Sequence, residues 1–167
     1  FWGKGRGALV LEGNVAKSYS GCIEVAADPG SLGTIYHSDQ NSFTLRYPTD
    51  FTKNETYTYN ALGPDKAISG VSFIIPATMA TGTNLASDTY LSVESLLSSS
   101  TCDATQFLAD SATSTTILEG DTTYSRASTI GAAAGNRYEE TVYALANTNP
   151  CLAVRYFVHY GVFENYP

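Results

Sequence analysis

At 167 residues the chain has room for one ordinary domain and a small appendage, and 9 basic against 16 acidic residues give a net charge of −7, which argues against nucleic acid as a partner. Apolar residues make up 43% and charged residues only 15%, while serine and threonine fill 37 positions, a composition that fits an exported, β-rich protein. No apolar run reaches the length of a membrane span, and the opening Phe1-Trp2-Gly3-Lys4 is neither an initiator methionine nor a signal peptide. The expectation is therefore a stretch of a larger precursor, with a membrane involved only through an anchor upstream of Phe1.

In chain order, Ala8–Glu12 and Val15–Tyr19 flank Gly13-Asn14, a pair that supplies the positive φ angles of a tight hairpin turn. The second strand leads to Cys22. Lys4, Arg6 and Lys17 stand against Glu12 in this stretch, whereas the remainder is strongly acidic, so residues 1–25 read as a separate hairpin unit. Residues 26–33, with one proline and two glycines, read as a linker. A domain over 34–167 follows.

Within it, Ser42–Tyr47 alternates Phe43, Leu45 and Tyr47 on one face and stops at Pro48, as a strand does. Val71–Ile75 is an apolar strand closed by Pro76, and Tyr90–Leu96 alternates Leu91 and Val93 against Tyr90, Ser92 and Glu94. A two-turn helix is expected over Asp103–Asp110, with Phe107 and Leu108 turned inward. Thr115–Glu119 and Thr122–Ser128 flank Gly120-Asp121, and Asn136–Ala146 and Cys151–Tyr160 flank Asn147–Pro150, which predicts a meander of hairpins. The last strand has two differing faces, explained by a sheet with one covered side. Between Lys66 and Arg126 no basic residue occurs, while Asp88, Glu94, Asp103, Asp110, Glu119 and Asp121 accumulate; one face of the domain is expected to be acidic.

Catalytic signatures are sparse. No G-x-S-x-G elbow nominates a serine nucleophile. Three cysteines without a C-x-x-C pair and two histidines do not make a zinc framework, so neither metal nor cofactor is expected. In an oxidising compartment two of the cysteines pair and one is left over. The predicted pair is Cys102 with Cys151, a loop cysteine beside the expected helix and one opening the last long strand, where a helix layer is tied to a sheet. That pairing outweighs a thiolate at either position using His159 as base. His37, at a strand end among polar residues, reads as solvated. Glu139 and Glu140 are strand neighbours and point to opposite faces, which is no acid–base pair. Gly3-Lys4-Gly5-Arg6-Gly7 lacks P-loop spacing and opens a strand; it is a compact loop that either presents two cations for recognition or keeps a turn soluble.

Phe1-Trp2-Gly3-Lys4-Gly5-Arg6-Gly7-Ala8-Leu9-Val10-Leu11-Glu12-Gly13, continuing to Cys22, resembles the closing part of the membrane-bound inhibitors of c-type lysozyme, with their aromatic-Trp-x-Lys-Gly segment, hairpin and final cysteine. The resemblance implies a small β-barrel whose loop lysine enters the lysozyme active site, and Lys4 matches that lysine. Trp2 and Arg6 accompany it as partner-binding residues. It also implies that Cys22, the odd thiol, pairs with a cysteine absent from this sequence. A further family feature, an S-G-x-R-Y-like first loop, is missing here. Asn41–Phe51 is similar to the G-F-x-x-x-Y-P-x-x-W entry of PsbP-like and Mog1-like sandwich domains, and Gly82–Leu85 and Ala132–Glu140 look like exported bacterial proteins of that build. This implies an interaction scaffold that usually continues into a C-terminal helix, which this sequence lacks.

The expected fold class is thus α+β, an antiparallel sheet with few helices, preceded by a hairpin remnant of a small barrel. The expected function is that of a non-enzymatic extracytoplasmic binding protein, periplasmic, outer-membrane associated or secreted. An inhibitor of c-type lysozyme, a basic partner, is the leading reading. A structural or ligand-binding envelope module is the alternative.

Overall fold

The computed structural model describes residues 10–12, 33–39, 43–97, 101–109 and 112–162. Within them the chain is mostly antiparallel β-sheet with very few helices. Strands β1 (Val10–Glu12), β2 (Thr34–Ser38) and β3 (Phe43–Tyr47) form a small sheet in the order β1-β3-β2. The remaining strands are β4 (Thr52–Asn54), β5 (Thr58–Tyr59), β6 (Ile68–Ile74), β7 (Tyr90–Leu96), β8 (Thr115–Glu119), β9 (Thr122–Ala133), β10 (Asn136–Leu145) and β11 (Cys151–Gly161). They form a large sheet in the order β4-β6-β7-β11-β10-β9-β8, with β5 also paired to β6. A four-residue helix α1 (Ala77–Ala80) lies between β6 and β7.

The strand expected over 71–75 begins earlier, at Ile68, and β9 runs on to Ala133, beyond the expected Ser128. Its extension is turned back into β10 by Ala134 and Gly135, both at positive φ, the conformation that a tight primed hairpin turn requires. Gly70 has a different role. A Cβ built there would lie 2.3 Å from the Val93 carbonyl oxygen, so only glycine lets β6 approach β7 at this point.

The helix expected over Asp103–Asp110 is instead a single 3₁₀ turn, Ala104–Phe107. Asp103 caps it, accepting from the Thr105 N–H at 2.9 Å and the Thr105 hydroxyl at 2.7 Å, while Gln106 Oε1 accepts from the Asp103 N–H. Leu108 then turns extended. Stopping there buries Phe107 and Leu108 together and leaves the Phe107 carbonyl, an orphan of the helix end, free to accept from the Arg155 guanidinium.

The last strand has one better-covered side, as expected: Cys151, Ala153 and Arg155 are buried while Leu152, Val154 and Tyr156 between them are half-buried; over β6 and β7 both faces of the sheet are covered. On one face, Ala104, Phe107 and Leu108 pack over Ala127, Val142, Ala144 and Ala153; small side chains in the sheet make room for the bulky ring. On the other face, Leu45 and Tyr47 of the small sheet pack with Phe51 against Val71, Phe73 and Val93, and Tyr47 and Phe73 rings lie 4.7 Å apart. The small sheet also joins residues from either side of the 26–33 segment, because Val10 pairs with Arg46 and Glu12 with Thr44. The hairpin turn at Gly13-Asn14, its second strand and the linker lie outside the described residues.

Cys102 and Cys151 form a disulfide across a sequence separation of 49 residues. It ties the start of the 3₁₀ segment to the first residue of β11. Cys151 is 1% exposed. Closing a loop of this length stabilises a fold by about 4 kcal/mol in the chain-entropy picture, so Cys102→Ser/Cys151→Ser is expected to lower the unfolding free energy by about that amount. Urea titration with and without the pair checks it, and an unchanged midpoint would contradict it.

Asp103 supplies a pH-dependent component. Burial raises its pKa, but hydrogen bonds from the Thr105 hydroxyl and N–H and from the Ser114 and Ser125 hydroxyls outweigh burial and lower it from 3.8 to about 2. A carboxylate with a depressed folded pKa stabilises above its unfolded pKa and loses that contribution as pH falls through the folded one. Thermal stability is therefore expected to drop between about pH 4 and pH 2, and Asp103→Asn should flatten that part of the profile relative to the parent.

Candidate functional site

The strand register places the odd-numbered residues of β11 on the face covered by the 3₁₀ segment. Arg155 stands there with Ser92 of β7 on one side and Val142 of β10 on the other. Its guanidinium is 0% exposed. Nε donates to Glu94 Oε1 at 2.7 Å and Nη2 to Glu94 Oε2 at 2.9 Å, a bidentate arrangement with the geometric match of a fork to a carboxylate. Nη1 donates to Glu140 and Nη2 also to the Phe107 carbonyl. The ring of Tyr59 lies 3.5 Å from the guanidinium carbon, so the cation is stacked as well as hydrogen-bonded.

The two carboxylates are saturated in turn. Glu94 Oε1 accepts from Ser92 at 2.7 Å and from the Tyr57 hydroxyl at 2.9 Å, and Glu140 Oε2 accepts from the Tyr59 hydroxyl at 3.0 Å. Burial alone would lower the pKa of Arg155; hydrogen bonds to Glu94 and its charge raise it overall. Arg155 stays a cation throughout. Burial, reinforced by Glu94, pushes the Tyr57 phenol well up. Burial likewise raises Tyr59, against the opposing pull of Arg155. Both phenols remain neutral donors to carboxylates, and the arrangement holds fixed charge.

From this centre a row of rings runs along the same face. Tyr57 meets Tyr90 through hydroxyls 3.1 Å apart, Tyr90 stacks on Phe157 at 4.9 Å, and Tyr138 stacks on His159 at 4.4 Å. Parallel rings on neighbouring strands stand up from the sheet and touch face to face, which is packing within the row. His159 Nδ1 lies 2.7 Å from Asp88 Oδ1. Its Nε2 is buried without a partner among the described residues.

On the opposite face, between the ends of the small sheet and the start of β6, lies a cleft of about 440 Å³. Tyr36, Asp39, Glu55, Thr58 and Ser69 line it above Val71 and Val93. At its rim the Lys53 ammonium sits 5.1 Å from the Tyr36 ring centroid and 3.2 Å from Glu55 Oε1.

Trp2, Lys4 and Arg6, the residues nominated for partner binding, and Cys22 lie outside the described residues. His37 is exposed on β2, its Nδ1 3.0 Å from Thr44 Oγ1. Glu139 and Glu140 do part to opposite faces, Glu139 accepting from the Tyr160 hydroxyl and Glu140 reaching Arg155. His159 stands at the far end of β11 from Cys151, which is bonded to Cys102, and pairs with Asp88 instead. The expected acidic face is corrected at two of its six carboxylates: Glu94 is buried at 1% exposure against Arg155, and Asp103 is a helix cap.

The Arg155 centre was missed by sequence reasoning, although Arg155 occurs among Cys151, Ala153 and Phe157 on one strand face. A cation in that alternation demands a buried counter-charge, and inward acidic positions were available on two other long strands, Glu94 on β7 and Glu140 on β10. No family model matches the chain, and no curated protein or solved structure matches it either.

Removing one partner of a buried ion pair strands the other charge, at a typical cost of 3–5 kcal/mol. Glu94→Leu is therefore expected to destabilise by about that much, while Glu94→Leu combined with Arg155→Met costs less than the single change. Urea unfolding of the four species of this double-mutant cycle checks the sign; additive losses would show that the pair is not coupled.

Proposed function

We infer that the chain is a non-enzymatic extracytoplasmic binding protein of the bacterial envelope, periplasmic, outer-membrane associated or secreted. The observation that carries this reading is the closure of its buried charges. Arg155, Glu94 and Glu140 satisfy one another and the surrounding phenols, so the ionisable groups of the large sheet's centre stabilise a scaffold. The polar-walled cleft beside Tyr36 and Glu55 is suited to recognition. The Cys102–Cys151 disulfide supports an oxidising compartment. An antiparallel sheet with few helices is compatible with the PsbP-like and Mog1-like sandwich domains, and membership in that group is part of the proposal.

For the partner, the leading reading is a c-type lysozyme inhibited through Lys4. A lysine on a glycine-flanked loop suits a cleft holding two carboxylates, because a retaining glycosidase sets its acid and nucleophile about 5 Å apart. Gly3 and Gly5 would let the backbone approach the cleft walls, with Trp2 at the loop base and Arg6 in a lesser role. The pairing of Val10–Glu12 onto β3 ties the segment that follows Lys4 into the small sheet. The alternative, a ligand-binding envelope module without lysozyme activity, is favoured by the cleft beside Tyr36 and Glu55.

Loss of a desolvated interfacial charge costs about 2–5 kcal/mol, or roughly thirtyfold or more in affinity. In a cell-wall lysis assay with a basic c-type lysozyme, Lys4→Ala is expected to weaken inhibition by at least that factor. Equal inhibition by parent and variant, or no inhibition by the parent, would remove the lysozyme reading in favour of the envelope module.

A further inference from the structure

The cleft between the two sheets has the size of a small-molecule site, since such sites commonly enclose about 300–1,000 Å³. Its floor is apolar, at Phe43, Val71 and Val93, and its walls are hydroxyls and carboxylates. Asp39 and Glu55 are both exposed at the mouth, and no lysine or arginine is among the described lining residues. Lys53 stands at the rim. Even with that cation in place, the three ionised groups sum to one net negative charge.

What Lys53 does there identifies the chemistry. Its ammonium rests over the Tyr36 ring and against the Glu55 carboxylate, and both partners belong to the cleft wall. An aromatic face and a carboxylate meeting at one point recognise a cation on a slim apolar stem, the face through its quadrupole and the carboxylate through charge-assisted hydrogen bonding. The chain thus fills the seat with its own amine. That amine is held loosely, because Lys53 and Glu55 side chains are 34% and 58% exposed and exposed pairs contribute little. Ser69, exposed on the cleft wall, stands opposite Ser95 across β6 and β7.

We propose that this cleft binds a primary ammonium on an aliphatic stem, the chemistry shared by a lysine side chain and a free diamine, and that the ligand displaces Lys53 from its seat between Tyr36 and Glu55. Asp39, the second exposed carboxylate among the lining residues, attracts the second positive charge of a diamine. The proposal rests on the reading of the chain as a binding module and gives that module a ligand class; it is independent of Lys4 and of lysozyme.

The test is titration of the ¹⁵N-labelled chain with 1,5-diaminopentane, with Nα-acetyl-lysine methylamide and with 1-pentanol as the uncharged control. Amide shifts are expected at β2, β5 and β6 with both amines and not with pentanol, and the tighter amine tells a free diamine from a lysine side chain as the source. Lys53→Gln vacates the seat and is expected to tighten amine binding about two- to fivefold, the range of an exposed cation–aromatic contact. Glu55→Gln should weaken it by a similar factor. Both changes lie on exposed side chains, and the unperturbed β7 and β11 amides report that the variants are folded. Shifts equal for pentanol and the amines, no shift with either amine, or a Lys53→Gln variant that binds no tighter would each overturn the proposal. Lysis inhibition measured on the same variants stays at the parental value if the lysozyme reading holds, so the two readings fail separately.

Discussion

A single guanidinium organises this molecule. Arg155 draws together β7 through Glu94, β10 through Glu140, β5 through the Tyr59 ring and the 3₁₀ segment through the Phe107 carbonyl. An arginine moved from water to a buried position carries a large desolvation penalty. Bidentate pairing, a second carboxylate, a carbonyl and a stacked ring offset it together. Each of these partners has a position that the others constrain. The penalty for a misplaced strand is therefore an unsolvated charge, a steeper cost than a lost apolar contact, and a buried polar centre of this kind can specify one register among several that apolar alternation alone would allow.

Around that centre the two core clusters divide the work by side-chain size. Beneath the 3₁₀ segment the sheet offers alanines, and Phe107 fills the space above them. Beneath the small sheet it offers Val71, Phe73 and Val93, met by Leu45, Tyr47 and Tyr36. A bond between Cys102 and Cys151 fixes the segment that covers the first cluster, whereas the second is held by interdigitated rings.

Period-two alternation made the long strands legible. Tyr90–Leu96 is found at its expected bounds, and the meander over β8 to β11 follows the Gly120-Asp121 and Asn147–Pro150 turns. Short strands were not legible: Thr52–Asn54 and Thr58–Tyr59 are two or three residues long, too brief to show a period, and Thr34–Ser38 follows directly on a stretch read as linker. The helix over 103–110 failed because local propensity was weighed without the tertiary partner waiting for the Phe107 carbonyl. The charge arithmetic misplaced Glu94 for a related reason. Its alternation with Ser92 and Tyr90 has the polarity of a solvated face, and only the pairing of β7 with β11 reveals that Arg155 lies diagonally across from it. The cleft brings residues 36–39 beside 55–58 and 69–71, a meeting of three segments that no spacing in the sequence encodes. The glycine-flanked segment with Lys4 was read from its own spacing, and it lies outside the described residues.

The position of β11 has a consequence for how the molecule is made. The last strand among the described residues sits in the middle of the large sheet, between β7 and β10. Until it arrives, β4, β6 and β7 form one half-sheet and β10, β9 and β8 another, each with an open edge where β11 belongs. Neither half has Arg155, so Glu94 in one and Glu140 in the other stay in water. Long-range closure of this sort makes folding slow to begin and cooperative when it does, and it leaves the nascent chain with two exposed templates for strand pairing. A biosynthetic intermediate halted before residue 151 is then a substrate for chaperones, and closure of the large sheet waits upon synthesis of β11.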